Sequence, residues 1–142
     1  MQTRVIDVTT GNRESTYDLT WECAAFLDEV AGAQQGWLDG LLHVFVPHAT
    51  AGVAVIETGS GSDQDLLRAL RDLLPAEDHR WRHRHGSPGH GRDHVVPAFV
   101  APYAVLPVVR GRLALGTWQS VVLIDTNSDN PSRKVRLSFL PG

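Results

Sequence analysis

The stretch from His43 to Glu57 reads HVFVPHATAGVAVIE. Two apolar runs of strand character, Leu41–Val46 and Gly52–Ile56, flank the polar turn Pro47-His48-Ala49-Thr50-Ala51. Pro47 cannot donate to a sheet ladder and stops the first run. Gly52 has no side chain, so another backbone or a ligand can approach the start of the second. A histidine and a threonine are therefore expected at a strand end beside free backbone N–H groups, an arrangement that can cradle an anion. Glu57 ends the second run on a charge.

On the N-terminal side, Gln2–Thr9 alternates well enough to be a first strand and Tyr17–Leu19 a second. Thr20 is placed to cap a helix, with Glu22 in its first turn. Cys23, Phe26, Leu27 and Val30 recur at helical spacing, which makes them one buried face, and Gly32 or Gly36 is expected to end the helix. On the C-terminal side, Ser62 or Asp63 can cap a second helix whose apolar face is Leu66, Leu67, Leu70, Leu73 and Leu74, terminated by Pro75. From Tyr103 onward the pattern is all strand: Ala104–Val109, Arg112–Leu115, Trp118–Asp125 and Lys134–Phe139. Strands interleaved with two or three helices favour a single α+β domain over residues 1–142 with a mostly antiparallel sheet.

Bulk composition narrows the function classes. The chain has 142 residues, 42% apolar and 20% charged, as in an ordinary globular domain. A net charge of −3 argues against a nucleic-acid binder, which is normally basic over much of its surface. A single cysteine, Cys23, leaves no intrachain disulfide and fits a reducing compartment. The first residues lack the apolar core of a secretory signal, and no apolar run approaches about 18 residues, so a cytoplasmic protein without membrane contact is expected.

Residues 79–94, HRWRHRHGSPGHGRDH, break this composition, holding five of the seven histidines and four arginines. Gly86, Pro88, Gly89 and Gly91 argue for a long loop, with Asp93 capping a short helix over Val95–Ala101. His79 and His83 are four apart, as are His90 and His94, a spacing that suits two ligands on one helical face. The glycines around His90 speak against a helix there, and the glutamate of an HExxH zinc site is missing. Folding the loop can bring His85 and His94 toward His48. The compact basic loop suits a phosphorylated small molecule better than a nucleic acid. Trp118, a large ring in a strand pattern, is expected in the core.

Three segments together resemble the YjbQ family, small proteins described as secondary thiamine-phosphate synthases. They are Val46–Gly52 with Glu57; Trp81 and His85 with the later pair Asp93-His94; and the run from Leu106 to Val121, which contains Leu115-Gly116-Thr117-Trp118-Gln119. Arg133 and Arg136 lie where the family carries basic residues. The chain departs from the pattern at Asp125, where the family has glutamate, and at Ala101-Pro102-Tyr103, where a serine is lost.

The resemblance implies mixed, mostly antiparallel sheets curled into a half-barrel, assembled as a homotrimer. It implies a transferase site that joins a pyrimidine pyrophosphate to a thiazole phosphate, with His48, Thr50, Gln119, Asp125 and Arg133 as its working residues. It further implies a pocket where His48, His85 and His94 converge, within one subunit or between subunits. Three neutral imidazoles there would hold a divalent metal, zinc or magnesium; protonated beside Arg133, they would hold phosphate or sulfate instead. Binding of a metal or phosphometabolite without turnover is the alternative. The letters do not choose.

Overall fold

The computed structural model describes residues 1–34 and 38–142. Among the described residues, eight strands build two sheets: β1 (Gln2–Thr9), β2 (Ser15–Asp18), β3 (Gly40–Phe45), β4 (Ala51–Ile56), β5 (Tyr103–Val109), β6 (Arg112–Leu113), β7 (Ser120–Asp125) and β8 (Ser132–Pro141). The α-helices are α1 (Thr20–Gln34), α2 (Ser62–Leu73) and the single turn α3 (His90–Asp93). One sheet runs β1-β8-β3-β5-β6 and the other β2-β7-β4. The fold is α+β with the larger sheet curled as a half-barrel, as expected. Every strand pairing among the described residues is antiparallel, so the sheets are not mixed.

The helical periodicity of α1 translates directly into packing. Cys23, Phe26, Leu27 and Val30 are all buried against Leu42, Val44, Leu106, Val135 and Leu137 of the large sheet. Burying each large apolar side chain contributes about 1.5–3 kcal/mol. The start of α1 differs from expectation. Asp18 Oδ1 accepts from the Thr20 N–H at 2.8 Å, while the Thr20 hydroxyl accepts from the Val121 N–H at 2.9 Å, tying the helix to β7 instead of capping it. The helix continues through Gly32 to Gln34; Gly36 lies outside the described residues. In α2, Gly61 occupies the cap position and neither Ser62 nor Asp63 caps through its side chain. Leu70 and Leu74 are buried but Leu73 is exposed.

β7 is the hinge of the architecture. Its residues Val121–Asp125 are all buried. Because successive side chains point to opposite faces, Val121 and Leu123 enter the α1 core, and Val122 and Ile124 meet Leu70, Leu74, Val96 and Val100 on the other side.

The runs flanking His48 do not pair with each other: β3 joins the large sheet and β4 the small one, so Pro47–Thr50 is a crossover between layers. Gly52 performs the role its sequence position suggests. A Cβ built there would lie 2.1 Å from the Val100 carbonyl oxygen, and the adjacent Val53 N–H donates to Ala101 O at 2.8 Å. Gly52→Ala is expected to destabilise the fold by about 1–3 kcal/mol through overpacking, read as a lower urea midpoint. An unchanged midpoint would show that this backbone contact is not fixed.

Candidate functional site

The histidine-rich loop is pinned before it presents any histidine. Trp81 Nε1 donates to Pro75 O at 2.8 Å, just beyond the end of α2, and the Gly89 N–H donates to Asp78 Oδ1 at 2.8 Å. Gly89 stands outside α3 with φ 88°, and Gly91 inside it leaves room for Trp81, whose Cβ would lie 2.7 Å from an added side chain. A helical turn therefore does form around His90, contrary to the reading of those glycines as breakers. Asp93 caps nothing; it is buried in that turn, and the segment after it is a short 3₁₀ helix, Val96–Ala98. Gly86, at φ 86°, is a position where a side chain would be strained and would also lie 2.5 Å from the His90 ring.

This folding gathers four imidazoles. His83 and His85 stand two apart in an irregular segment, and His90 and His94 stand one helical turn apart. One ring nitrogen from each of the four lies within 4.8 Å of the others, with ring centroids 4.0–5.9 Å apart. His90 Nε2 and His94 Nε2 are 2.9 Å apart. His85 is the exposed member, and the other three are partly covered. Burial depresses the pKa of both His83 and His94, and neighbouring imidazoles push them lower still, so both are neutral at pH 7. His83 Nδ1 is buried with no hydrogen-bond partner. A buried ring nitrogen without a partner, beside three other imidazoles, suits a metal ligand.

His48 is not part of this cluster. Its Nε2 accepts from the Lys134 N–H at 2.9 Å and its Nδ1 lies 3.4 Å from Arg133 Nη1. Partial burial lowers its pKa, helped by the Arg133 and Lys134 charges. The expected meeting of His48, His85 and His94 is thus replaced, within the chain, by His83, His85, His90 and His94. The crossover holds His48 against β8, while five of the seven histidines lie on the loop before β5. The turn also has fewer free donors than expected, since the His48 N–H already bonds Val46 O at 2.8 Å.

The remaining expected site residues serve one another. Asp125 and Arg133 are 0% and 2% exposed and form a two-point ion pair: Nε to Oδ2 at 2.7 Å and Nη2 to Oδ1 at 2.8 Å. Thr10 Oγ1 donates to Asp125 Oδ2 at 2.7 Å, and the Asn127 N–H to Oδ1 at 3.0 Å. Thr50 is buried in the crossover turn just before β4. Gln119 Oε1 accepts from the Gly116 N–H at 2.8 Å and closes its own turn. Trp118 is 74% exposed, not core, because it sits in that turn ahead of β7 rather than in the strand.

Asn127 joins the two regions. Beyond its backbone bond to Asp125, its Nδ2 donates to Asp93 Oδ2 at 3.0 Å and lies 2.9 Å from His90 Nδ1. A continuous polar path therefore runs from His48 through Arg133, Asp125 and Asn127 to His90. Asn127, Asp129 and the pairing of His83 with His90 were not singled out from sequence. The i, i+2 and i, i+4 histidine spacings were the available signal.

The sequence profile described as UPF0047 protein YjbQ-like matches residues 4–142. The chain belongs to the YjbQ-like UPF0047 family. Among its relatives, the UPF0047 protein Rv2556c of Mycobacterium tuberculosis is 56% identical over 142 residues, covering 100% of both chains. The UPF0047 protein YugU of Bacillus subtilis is 30% identical over 119 residues, covering 83% of this chain and 84% of that one. Hypothetical protein APE1520 of Aeropyrum pernix superposes with a TM-score of 0.85 at 33% identity, over 100% of both chains. A YbjQ-like protein of unknown function from Sulfolobus solfataricus shares the fold, with a TM-score of 0.87 at 22% identity over 99% of this chain and 97% of that one. Family membership thus accounts for the fold and for the matching motifs at once. It leaves the activity to the chemistry of the site. Among the described residues, no helix is long and apolar enough to cross a membrane.

Proposed function

We propose that this YjbQ-like chain binds a divalent transition metal, zinc by donor chemistry, at His83, His85, His90 and His94, and presents it to a phosphorylated small molecule. The observation that carries this reading is the convergence of four ring nitrogens within 4.8 Å. Nitrogen donors around a tetrahedral zinc lie about 3.3 Å apart, from bond lengths of about 2.0–2.1 Å, so the 2.9 Å separation of His90 and His94 needs little adjustment. Magnesium takes oxygen ligands, and the cluster offers none.

When bound, such an ion supplies positive charge and Lewis acidity to a phosphate group. The chain's own contribution is placement. Helix α3 fixes two rings and Asn127 braces His90. Exposed His85 leaves one side open to solvent. A cavity of about 80 Å³ adjoins His83 and His85, with room for a phosphate oxygen. The organic part of a substrate would lie over the exposed side of His85, where a second subunit can complete the pocket.

The homotrimer that the family resemblance implies has support in the outer face of the large sheet. Val5, Phe45 and Tyr103 share one cross-strand row with Arg136, which stands between Val5 and Phe45, and His43 and Val105 share another. Val5, Leu41, Tyr103, Val105 and Leu140 are 40–52% exposed, an apolar surface of the kind that marks an interface. Our proposed reaction is the one the resemblance implies: the thiazole nitrogen of a thiazole phosphate bonds to the methylene carbon of a pyrimidine pyrophosphate, the carbon–oxygen bond to pyrophosphate breaks, and thiamine phosphate and pyrophosphate are released. Binding without turnover is favoured by a different observation: Asp125 and Arg133 are already paired inside the fold, and Gln119 is engaged in its own exposed turn.

One experiment separates the two. Zinc-loaded protein, with its mass in solution measured as a trimer, is given both substrates. Thiamine phosphate formed in proportion to bound zinc supports the transferase. Thermal stabilisation by the phosphorylated compounds without product leaves the binding protein. Absence of both zinc uptake and stabilisation would overturn the proposal.

A further inference from the structure

Basic and imidazole side chains alternate just before α3, as Arg82, His83, Arg84 and His85. His83 and His85 belong to the four-histidine centre, and Arg84 lines the same cavity of about 80 Å³ beside them. Arg82 does not line it.

Arg84 is exposed, and its guanidinium is held from one side: Nη1 donates to Asp78 O at 3.0 Å. Around it, Arg71, Arg80 and Arg92 each have a carboxylate partner. Among the described residues Arg84 has none, and its Nε and Nη2 groups meet no acceptor. Those two nitrogens form the edge that takes two oxygens of a phosphate side by side. The carboxylates near the cavity are turned to the backbone. Asp78 Oδ1 accepts from the Gly89 N–H at 2.8 Å, and Asp129 Oδ2 from the Ser87 N–H at 3.1 Å. Their charge still offsets that of Arg84, so the cavity without an ion draws a phosphate only weakly. A divalent ion among the histidines, the largest local charge once bound, reverses that balance.

We propose that Arg84 is the phosphate-recognising residue of the histidine centre, taking the terminal phosphate of a phosphorylated metabolite on its Nε–Nη2 edge. A further oxygen of the same phosphate reaches the cavity beside His83 and His85. A carboxylate has only the two oxygens that the guanidinium edge takes, so the site selects phosphate over carboxylate. The inference rests on the phosphorylated-ligand reading of the centre and assigns that reading its residue.

The test titrates the full chain, with and without zinc, with inorganic phosphate followed by ³¹P NMR. Zinc-loaded protein is expected to bind phosphate more tightly than the metal-free chain does, and acetate should not compete. Arg84→Gln should lower phosphate affinity about 10–100-fold, the range for losing charge-assisted hydrogen bonds. Its zinc affinity by chelator competition should stay within about twofold of the parent, since Arg84 is no ligand. Arg84→Lys keeps the charge without the planar fork and should fall between the two. Arg82→Gln removes the same charge from the same loop away from the cavity, and should change phosphate affinity less than about twofold. Equal losses in Arg84→Gln and Arg82→Gln, no loss in Arg84→Gln, or a parent that binds no phosphate would overturn the inference. A parent that takes up no zinc overturns the metal reading instead, and the weaker phosphate binding of the metal-free chain, lost in Arg84→Gln, still decides the role of Arg84.

Discussion

The double variant His90→Ala/His94→Ala is expected to abolish stoichiometric zinc binding, whereas the parent chain holds one ion. The two rings leave the same helical turn, and their removal strips the centre to His83 and His85. Two imidazoles are fewer than any zinc site described by three or four protein ligands. His94→Ala alone leaves three rings, enough for an open site, and should weaken binding on the order of 100-fold, about 2.7 kcal/mol. The metal-free variants should remain folded, because the rings lie on a partly exposed loop and His83 and His94 already resist protonation. In the parent, zinc at about 100 times its dissociation constant should add about 2.7 kcal/mol of stability. The double variant should show no such thermal shift. Metal content after dialysis is the direct measurement, and one zinc per chain in the double variant would sink the assignment.

The second large effect lies one layer beneath. Asp125→Ala is expected to destabilise the fold by about 3–5 kcal/mol, because it leaves the Arg133 guanidinium buried and unpaired. The pair is almost wholly excluded from solvent, and Asp125 also accepts from Thr10 and Asn127, so four hydrogen bonds converge on one carboxylate. Against a total stability of about 5–15 kcal/mol, that is a large share of the whole. Removing both charges, as Asp125→Leu/Arg133→Met, should recover much of the loss, since the cost comes from the orphaned charge more than from the missing attraction. Equilibrium urea unfolding measures both. A loss below about 1 kcal/mol for Asp125→Ala would mean that water reaches Arg133. The departure from the family's glutamate is compatible with this role: the shorter aspartate accepts from Nε and Nη2 along one edge of the guanidinium.

Periodic features were legible without coordinates. The apolar stripe of Cys23, Phe26, Leu27 and Val30, the strand runs on either side of Pro47, and the backbone approach at Gly52 all depend on neighbours a few residues away. The histidine spacings were legible too, but their meaning was not. Whether a glycine-rich turn closes into a helix depended on Trp81 docking beneath Gly91 and on Asp78 holding Gly89. Trp118 reads as core by residue type and stands in solvent because its turn closes on Gln119 and Gly116.

The amino-acid order by itself determined the α+β class, the buried face of α1 and the concentration of imidazoles between α2 and β5, because side-chain periodicity and turn chemistry act locally. Only tertiary structure decided that β3 and β4 part into different sheets and that Arg133 serves Asp125. It also placed His48 apart from the four histidines that meet. Those outcomes depend on charge and hydrogen-bond partners far apart along the chain, such as Thr10 with Asp125 and His90 with Asp129, and on the burial that makes each partner necessary.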